Sequence, residues 1–355
     1  MMAEYWMPEY MPAFECKMGA CRCCCCEGWD ITVSLKEYYQ LLSLPCSPYL
    51  RKRLDGAFHL SAVPSPEHYA QITPRFDGNC PLRLRDGRCG LQVECGEESL
   101  SAICRTYPRS FRYRGETFEA ACANSCEQTL EMLLNIRAPL TFVKAILDRP
   151  ALADDLRPQG QKNDKAVRLL SLQTLQNRKE PLERRLRRLG RVVAAFEQTG
   201  ALALDNGELP AVPQEIPWIL SIQHDLVSLM ESMDSKRREE APSIERALGL
   251  NADETVGEKA AAAYRAAGER LDSALPEQEI WMEQILVNHV FFEGFPYSDR
   301  QEDLHHAYMA LCGTYALLRV LARGCETKQS FVDRMARAFR MIEHSRFDWN
   351  AAVVL

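Results

Sequence analysis

The sequence predicts a mainly α protein: a helical C-terminal body carrying a small cysteine-rich α+β part at its N-terminus. Two observations lead there. Thirteen of the fifteen cysteines lie between Cys16 and Cys126, among short segments broken by proline and glycine. From about Ala121 onward apolar residues recur three and four apart, the spacing of helices with one buried face. The boundary is set at residue 126, with a cysteine-rich domain of short helices and hairpins at 1–126 and a helical domain at 127–355. A chain of 355 residues can bury a core in each part, so a shortage of core does not account for the cysteines.

In chain order, SLKEYYQLL (34–42) predicts a short helix capped by Ser34, with Glu37 completing a capping box. ITPRF (72–76) reads as a strand, and PLRLRDGRC (81–89) and SFRYRGETFEA (110–120) as hairpins turning at Asp86-Gly87 and Arg114-Gly115. GEESLSAICRTY (96–107) fits one helix, stopped by Pro108, which lacks the N–H a helix needs. Three apolar seams follow: Leu182, Leu186, Leu189, Val193 and Phe196; Tyr308, Leu311, Tyr315 and Leu318; Val332, Met335, Phe339 and Ile342. Connections are expected at 157–164, 208–217 and around 234–242. In ERRLRRLGR (183–191) the leucines keep helical spacing and the arginines take the other positions, which predicts a solvated basic face. His289, His305 and His306 read as core or surface residues, and Cys312 and Cys325 as core.

With 46% hydrophobic and 26% charged residues the chain has an ordinary globular composition. A net charge of -6 argues against nucleic acid as the main partner and suits a cationic one. No apolar stretch is long enough to cross a bilayer, and MMAEYWMPEYMPAFEC lacks the basic region and apolar run of a secretory signal, so no membrane role is expected. The expected location is the cytoplasm, where thiols stay reduced and clustered cysteines bind metal more often than they pair.

The cysteines fall into groups: Cys16-x4-Cys21-x3-Cys25-Cys26, then Cys80-x8-Cys89, then Cys104 and Cys122, with Cys23, Cys24, Cys95 and Cys126 interspersed. Thiolates grouped in this way can converge on a metal from several loops and tie short elements together. Sulfur ligands select zinc, copper(I) or iron–sulfur clusters over magnesium or calcium. Gly28-Trp29 gives the run a tight exit and an apolar lid.

The run from Cys16 through Cys26 to Trp29, the Asp-Gly-Arg-Cys ending at Cys89, the stretch 96–109 and Glu119-Ala-Ala-Cys122 together resemble the flagellin lysine-N-methylase family, within a wider group of cysteine-cluster proteins that chelate zinc or iron. The resemblance is dense from about Tyr5 to Leu134 and thinner in the last third, where EQILVNHVFF (283–292) and RMIEHS (340–345) carry it. It implies transfer of a methyl group from S-adenosylmethionine to lysines of a protein substrate, flagellin, with a [4Fe-4S] cluster, or zinc as the alternative. The metal positions it implies are Cys16, Cys21, Cys25, Cys26, Cys80, Cys89, Cys104 and Cys122. These exceed the four thiolates that one four-iron cluster takes, and the extra cysteines leave the ligand set open.

No two glycines are separated by one residue, so a Rossmann-type cofactor loop is absent, as is the Cys-x3-Cys-x2-Cys triple of radical S-adenosylmethionine enzymes. A methylase reading therefore needs another cofactor site. Amine methylation requires a neutral lysine, an in-line methyl donor and a dry site. In CRTYPRSFRYR (104–114), Arg105 and Arg109 are the candidate donors to the cofactor carboxylate, with Trp29 as a third cofactor-binding residue and Tyr107 as a catalytic one. In RMIEHS, Glu343 can attract the lysine ammonium and His344 take its proton; a solvent-exposed helix end is the alternative for both. The competing functional readings are a non-catalytic zinc or iron module that docks a protein, and an electron-transfer protein.

Overall fold

The computed structural model describes residues 2–114, 117–148, 164–211, 216–233, 248, 250, 257–296, 303–344, 347, 350 and 351. Seven strands and twelve α-helices lie among them, and the protein is mainly helical. A four-stranded sheet takes β1 (Met2–Pro8), β5 (Arg109–Arg114), β6 (Thr117–Cys122) and β7 (Phe142–Asp148) in the order β5-β6-β1-β7. β1 runs parallel to β6 with Trp6 opposite Glu119, and antiparallel to β7 from Met2 opposite Asp148 to Pro8 opposite Phe142. Alternate residues of β1, Tyr5 and Met7, are buried on one face, where Tyr5 packs on Phe111 and Phe118 of the same sheet, while Trp6 on the other face meets Phe291. The sequence reading did not anticipate β1 or β7. Both are single short strands that pair with partners more than a hundred residues away, a signal local periodicity does not carry.

The N-terminal lobe adds β2 (Ile31–Val33), β3 (Phe58–Leu60) and β4 (Ala70–Ile72), in the antiparallel order β2-β4-β3. Beside them α1 (Leu35–Ser43) begins with the expected capping box: the Ser34 side chain accepts from the Glu37 N–H, and the Glu37 carboxylate accepts from the Ser34 N–H at 2.9 Å. In the next helix, α2 (Pro48–Asp55), Ser47 is the cap and proline sits in the first turn. Val33, Leu41, Leu50, Leu54, Ala70, Ile72, Leu82 and Leu91 form the small core of this lobe.

Three local expectations change. In 72–76 only Ile72 is paired; Pro74 removes the donor a continuing ladder needs. In 81–89 the Asp86-Gly87 turn forms, with Gly87 at φ +86°, but its arms meet only at the Arg83–Cys89 bridge because Gly90 opens α3 (Gly90–Cys95) at once. In 96–107 the single helix divides: a short 3-10 turn covers Glu97–Ser99, and Ser101 caps a new helix, α4 (Ala102–Thr106), by accepting from the Cys104 N–H. The hairpin at 110–120 forms as β5 and β6, with residues 115 and 116 outside the described set.

The helical body comprises α5 (Glu127–Asn135), α6 (Asp164–Leu175), α7 (Leu182–Thr199), α8 (Ile216–Met233), α9 (Gly257–Ala274), α10 (Gln278–Phe292), α11 (Leu304–Ala322) and α12 (Lys328–Ile342). The predicted seams face inward: Leu182, Leu186, Leu189, Val193, Leu311, Leu318, Val332, Met335, Phe339 and Ile342 are buried, and Phe196, Tyr308 and Tyr315 pack against them. Of the expected connections, 208–211 has no regular structure, whereas 157–163 and 234–242 lie outside the described residues. None of the helices searched among the described residues is long and apolar enough to cross a membrane.

The basic segment 183–191 departs from the expected solvated face. Arg185 is buried and bonds the fully buried Glu283 at 2.5 Å, while Arg178 reaches the same carboxylate at 2.8 Å. Glu283 thereby ties the approach to α7 and α7 itself to α10. Removing its charge leaves two guanidiniums short of their acceptor, so Glu283→Gln is expected to destabilise the protein by about 3–5 kcal/mol. A urea unfolding midpoint within experimental error of the parent would contradict this.

Candidate functional site

Two groups of cysteines are assembled, by different means. In the first, backbone pairing sets the run 24–28 along 78–80: the Cys80 N–H donates to the Cys26 carbonyl at 2.7 Å and the Gly28 N–H to the Gly78 carbonyl at 2.8 Å. The Asp86-Gly87 turn folds Cys89 back toward Cys80, and α4 brings in Cys104. The sulfurs of Cys24, Cys25 and Cys26 lie within 4.8 Å of one another. Cys104 is pushed up to about 12, first by desolvation and further by the charges of Cys80 and Cys89. Hydrogen bonds from Cys25 and Cys26 hold the Cys24 thiol far below its ordinary value.

The second group gathers at the start of α5. Cys126 is the N-cap residue, and Glu127 in the first turn binds Lys17 at 2.5 Å, Arg22 at 3.1 Å and the Cys23 N–H at 2.8 Å. These bonds wrap residues 17–23 over the helix and bring Cys16 and Cys21 toward Cys126, beside which Cys122 is buried. Cys21 is pushed up to about 12 by burial and by the charges of Glu127 and Cys126; burial and then Cys126 raise Cys122.

Thiols packed this closely repel one another as thiolates, and a metal cation relieves the repulsion. The sulfurs of Cys24, Cys25 and Cys26, within 4.8 Å of one another, are soft donors that fit a thiophilic metal ion. Cys24 and Cys126, outside the eight-position pattern, sit inside the two groups. Cys23 and Cys95 instead direct their thiols to the carbonyls of Asp333 and Pro45, each at 3.7 Å.

Between the groups, segments from opposite ends of the chain meet. Burial raises the pKa of Tyr107, and the charges of Cys126 and Cys25 raise it further. Its hydroxyl donates to Ser125 Oγ at 3.2 Å, and Ser125 Oγ is 2.9 Å from His344 Nε2. Glu343 accepts the backbone N–H groups of Asn124 and Ser125 at 3.0 and 2.9 Å. Behind this turn, Asn288 donates to Asn124 Oδ1 at 2.8 Å and to the Cys122 carbonyl at 2.9 Å, while Tyr10 donates to Asn288 at 2.6 Å. Trp29 covers the front, its ring 4.6 Å from His344 and 5.6 Å from Tyr107, with Nε1 donating to the Cys25 carbonyl at 2.7 Å. Arg340 lies over Trp29 at 5.6 Å and donates to the Cys24 carbonyl at 2.7 Å.

Tyr107, Trp29, Glu343 and His344 are thus brought together. The alternative for RMIEHS divides between its two residues: the Glu343 side chain has 0% exposure, and His344 is exposed. Arg105 and Arg109 stand outside the hydrogen-bonded set. Arg105 pairs with Glu98 at 2.9 Å, and Arg109 lies 4.9 Å over the Phe14 ring. The sequence reading missed Asn124, Ser125, Asn288 and Arg340, and took His289 for an ordinary core or surface residue although its Nδ1 lies 3.8 Å from Glu343. The one sequence signal was position: Asn124 and Ser125 lie between two candidate cysteines.

The end of α12 and the two residues after it, which supply Arg340, Glu343 and His344, fall within a recognised family region. The family model described as the FliB lysine N-methylase C-terminal domain matches residues 168–352, more than half of the chain. The chain belongs to the lysine N-methylase family. Relatives include the lysine-N-methylases of Salmonella typhimurium and Salmonella choleraesuis, each 28% identical over 157 residues, covering 44% of this chain and 39% of the relative. A flagellar biosynthetic protein, FliU, of Salmonella muenchen is 26% identical over 129 residues, 36% of this chain and 75% of the relative. The match to the two lysine-N-methylases thus spans about two-fifths of their length. No solved structure matches.

In this lysine N-methylase family member, Glu127 carries a testable electrostatic load. Burial raises its pKa, but the Lys17, Cys23 N–H and Arg22 partners outweigh it and the net shift is downward. A lowered carboxylate pKa adds stability that is complete above the unfolded value of about 4.3 and is lost as pH falls through the folded value. Glu127→Gln is expected to cost about 1.5–3 kcal/mol at pH 7, with the difference from the parent vanishing in acid. A difference that stays constant from pH 7 down to pH 3 would contradict this assignment.

Proposed function

We propose that the protein transfers methyl groups from S-adenosylmethionine to lysine side chains of a protein substrate, flagellin, in the cytoplasm. The observation that carries this reading is the Tyr107–Ser125–His344 hydrogen-bonded chain, set between two cysteine groups and closed by the family-matched end of α12. The names of the relatives support lysine as the acceptor and a flagellar context for the substrate.

A lysine arrives as an ammonium ion and reacts only after losing a proton. Trp29 and Tyr107 offer aromatic faces that attract such a cation. As Tyr107 Oη takes the lysine proton it passes its own to Ser125, and Ser125 passes its hydroxyl proton to His344 Nε2. The exposed His344 releases it to solvent. Because burial keeps Tyr107 protonated, the phenol conducts the proton without accumulating charge. Glu343 fixes the Asn124–Ser125 turn so that both hydrogen bonds of the chain hold their lengths. S-adenosylmethionine, when bound, supplies the electrophilic methyl group on a sulfonium. Arg105 can exchange its partner Glu98, which is 91% exposed, for the cofactor carboxylate, since a surface pair of this kind is weak.

The cysteine groups fit an iron–sulfur cluster, [4Fe-4S], whose bonds would join the short elements of the lobe into one rigid wall for this site. Cys24, Cys25 and Cys26, with Cys80, Cys89 and Cys104 near them, would supply one donor set, and Cys16, Cys21, Cys122 and Cys126 would supply the other.

The test is methyl transfer from labelled S-adenosylmethionine to purified flagellin by anaerobically isolated protein, read by mass spectrometry of the lysines, alongside iron and sulfide content. The parent is expected to be brown and active. Ser125→Ala should keep the colour and lose about 100-fold in kcat, with the deficit shrinking as pH rises toward the lysine pKa of about 10.4 and free base forms unaided. A colourless zinc protein that ignores the cofactor would overturn the reading in favour of a docking module.

A further inference from the structure

We propose that His289, Glu293 and Glu343 form a separate metal site, built for one divalent ion of oxygen and nitrogen preference such as Mn(II) or Fe(II). Their ligand atoms, one imidazole nitrogen and two carboxylate oxygens, lie within 4.8 Å of one another. His289 and Glu293 stand four residues apart at the end of α10, one turn along the same face. Glu343 reaches them from the end of α12.

Three further features point to a cation. First, the His289 and Glu343 side chains are 5% and 0% exposed, with Nδ1 and Oε1 3.8 Å apart. That separation is too long for a hydrogen bond and leaves room for an ion that both atoms could ligate. Second, Glu293 and Glu343 are both C-cap residues, so the negative ends of two helices converge on the same point. Third, each Glu343 oxygen accepts one backbone N–H and keeps a lone pair.

One imidazole with two carboxylates, on a site that leaves positions open for water, suits Mn(II) or Fe(II) better than the thiolate sets nearby. An ion there holds Glu343, and through it the Asn124–Ser125 turn. The inference does not depend on methyl transfer.

The probe is Mn(II), which thiolates bind poorly, added to the anaerobically purified protein after chelation and followed by the loss of its free-ion electron paramagnetic resonance signal. One Mn(II) per chain is expected, with a thermal midpoint that rises as the ion is added. Glu293→Gln, which leaves the backbone contacts of Glu343 intact, should weaken binding at least tenfold and abolish the thermal shift; His289→Gln should do the same. If the parent leaves the signal at the free-ion level, or if Glu293→Gln binds Mn(II) as the parent does, the trio is an ion pair and the proposal fails. Should His289→Gln not fold, the comparison of parent with Glu293→Gln decides alone.

Discussion

The architecture turns on one carboxylate. Glu343, at the end of α12, accepts the two backbone N–H groups of Asn124 and Ser125, which lie between β6 and α5. The two partners are 219 and 218 residues away in sequence, and the bonds join the cysteine-rich lobe to the helical body at the point where the candidate chemistry lies. Fully buried, this carboxylate is costly to desolvate, and the two N–H donors offset that cost only if the turn keeps its shape. Asn288 and Tyr10 hold the turn from behind, and Trp29 and Arg340 cover it in front. A change at any of these positions is transmitted to Ser125, and so to the distance between Tyr107 and His344.

The N-terminal lobe has little apolar material to hold it rigid. Its core consists of about nine residues from short elements, and the cysteine run beside it is pinned by a few backbone hydrogen bonds and the Glu127 ion pairs. Close thiols make such a lobe self-repelling when ionised, and a bound cation would relieve that repulsion. The Tyr107 phenol lies between the two sulfur groups, where any charge they carry acts on its proton.

The sequence disclosed part of this arrangement. The Ser34–Glu37 capping box, the hairpin of β5 and β6, and the three helical seams were readable because each depends on residues close in the chain. Tyr107, Glu343 and His344 were singled out for their chemistry. Arg185 was misassigned because its partner Glu283 lies 98 residues away on another helix, and spacing alone cannot distinguish a buried arginine from a solvated one. Ser125 and Asn124 escaped notice for the same reason: a serine and an asparagine before a helix look like ordinary capping residues until the end of α12 is brought onto them. β1 and β7, paired across the chain, were likewise invisible to local periodicity.

The central claim is that Glu343 holds the Asn124–Ser125 turn and thereby the site. Hydrogen exchange at the Asn124 and Ser125 amides, resolved by fragmentation mass spectrometry in the parent and in Glu343→Ala, tests it most directly. Both amides should be strongly protected in the parent and exchange rapidly in the variant, while amides in the middle of α7 and α11 keep their protection. Fast exchange at these two amides in the parent, or protection that survives in Glu343→Ala, would contradict the account.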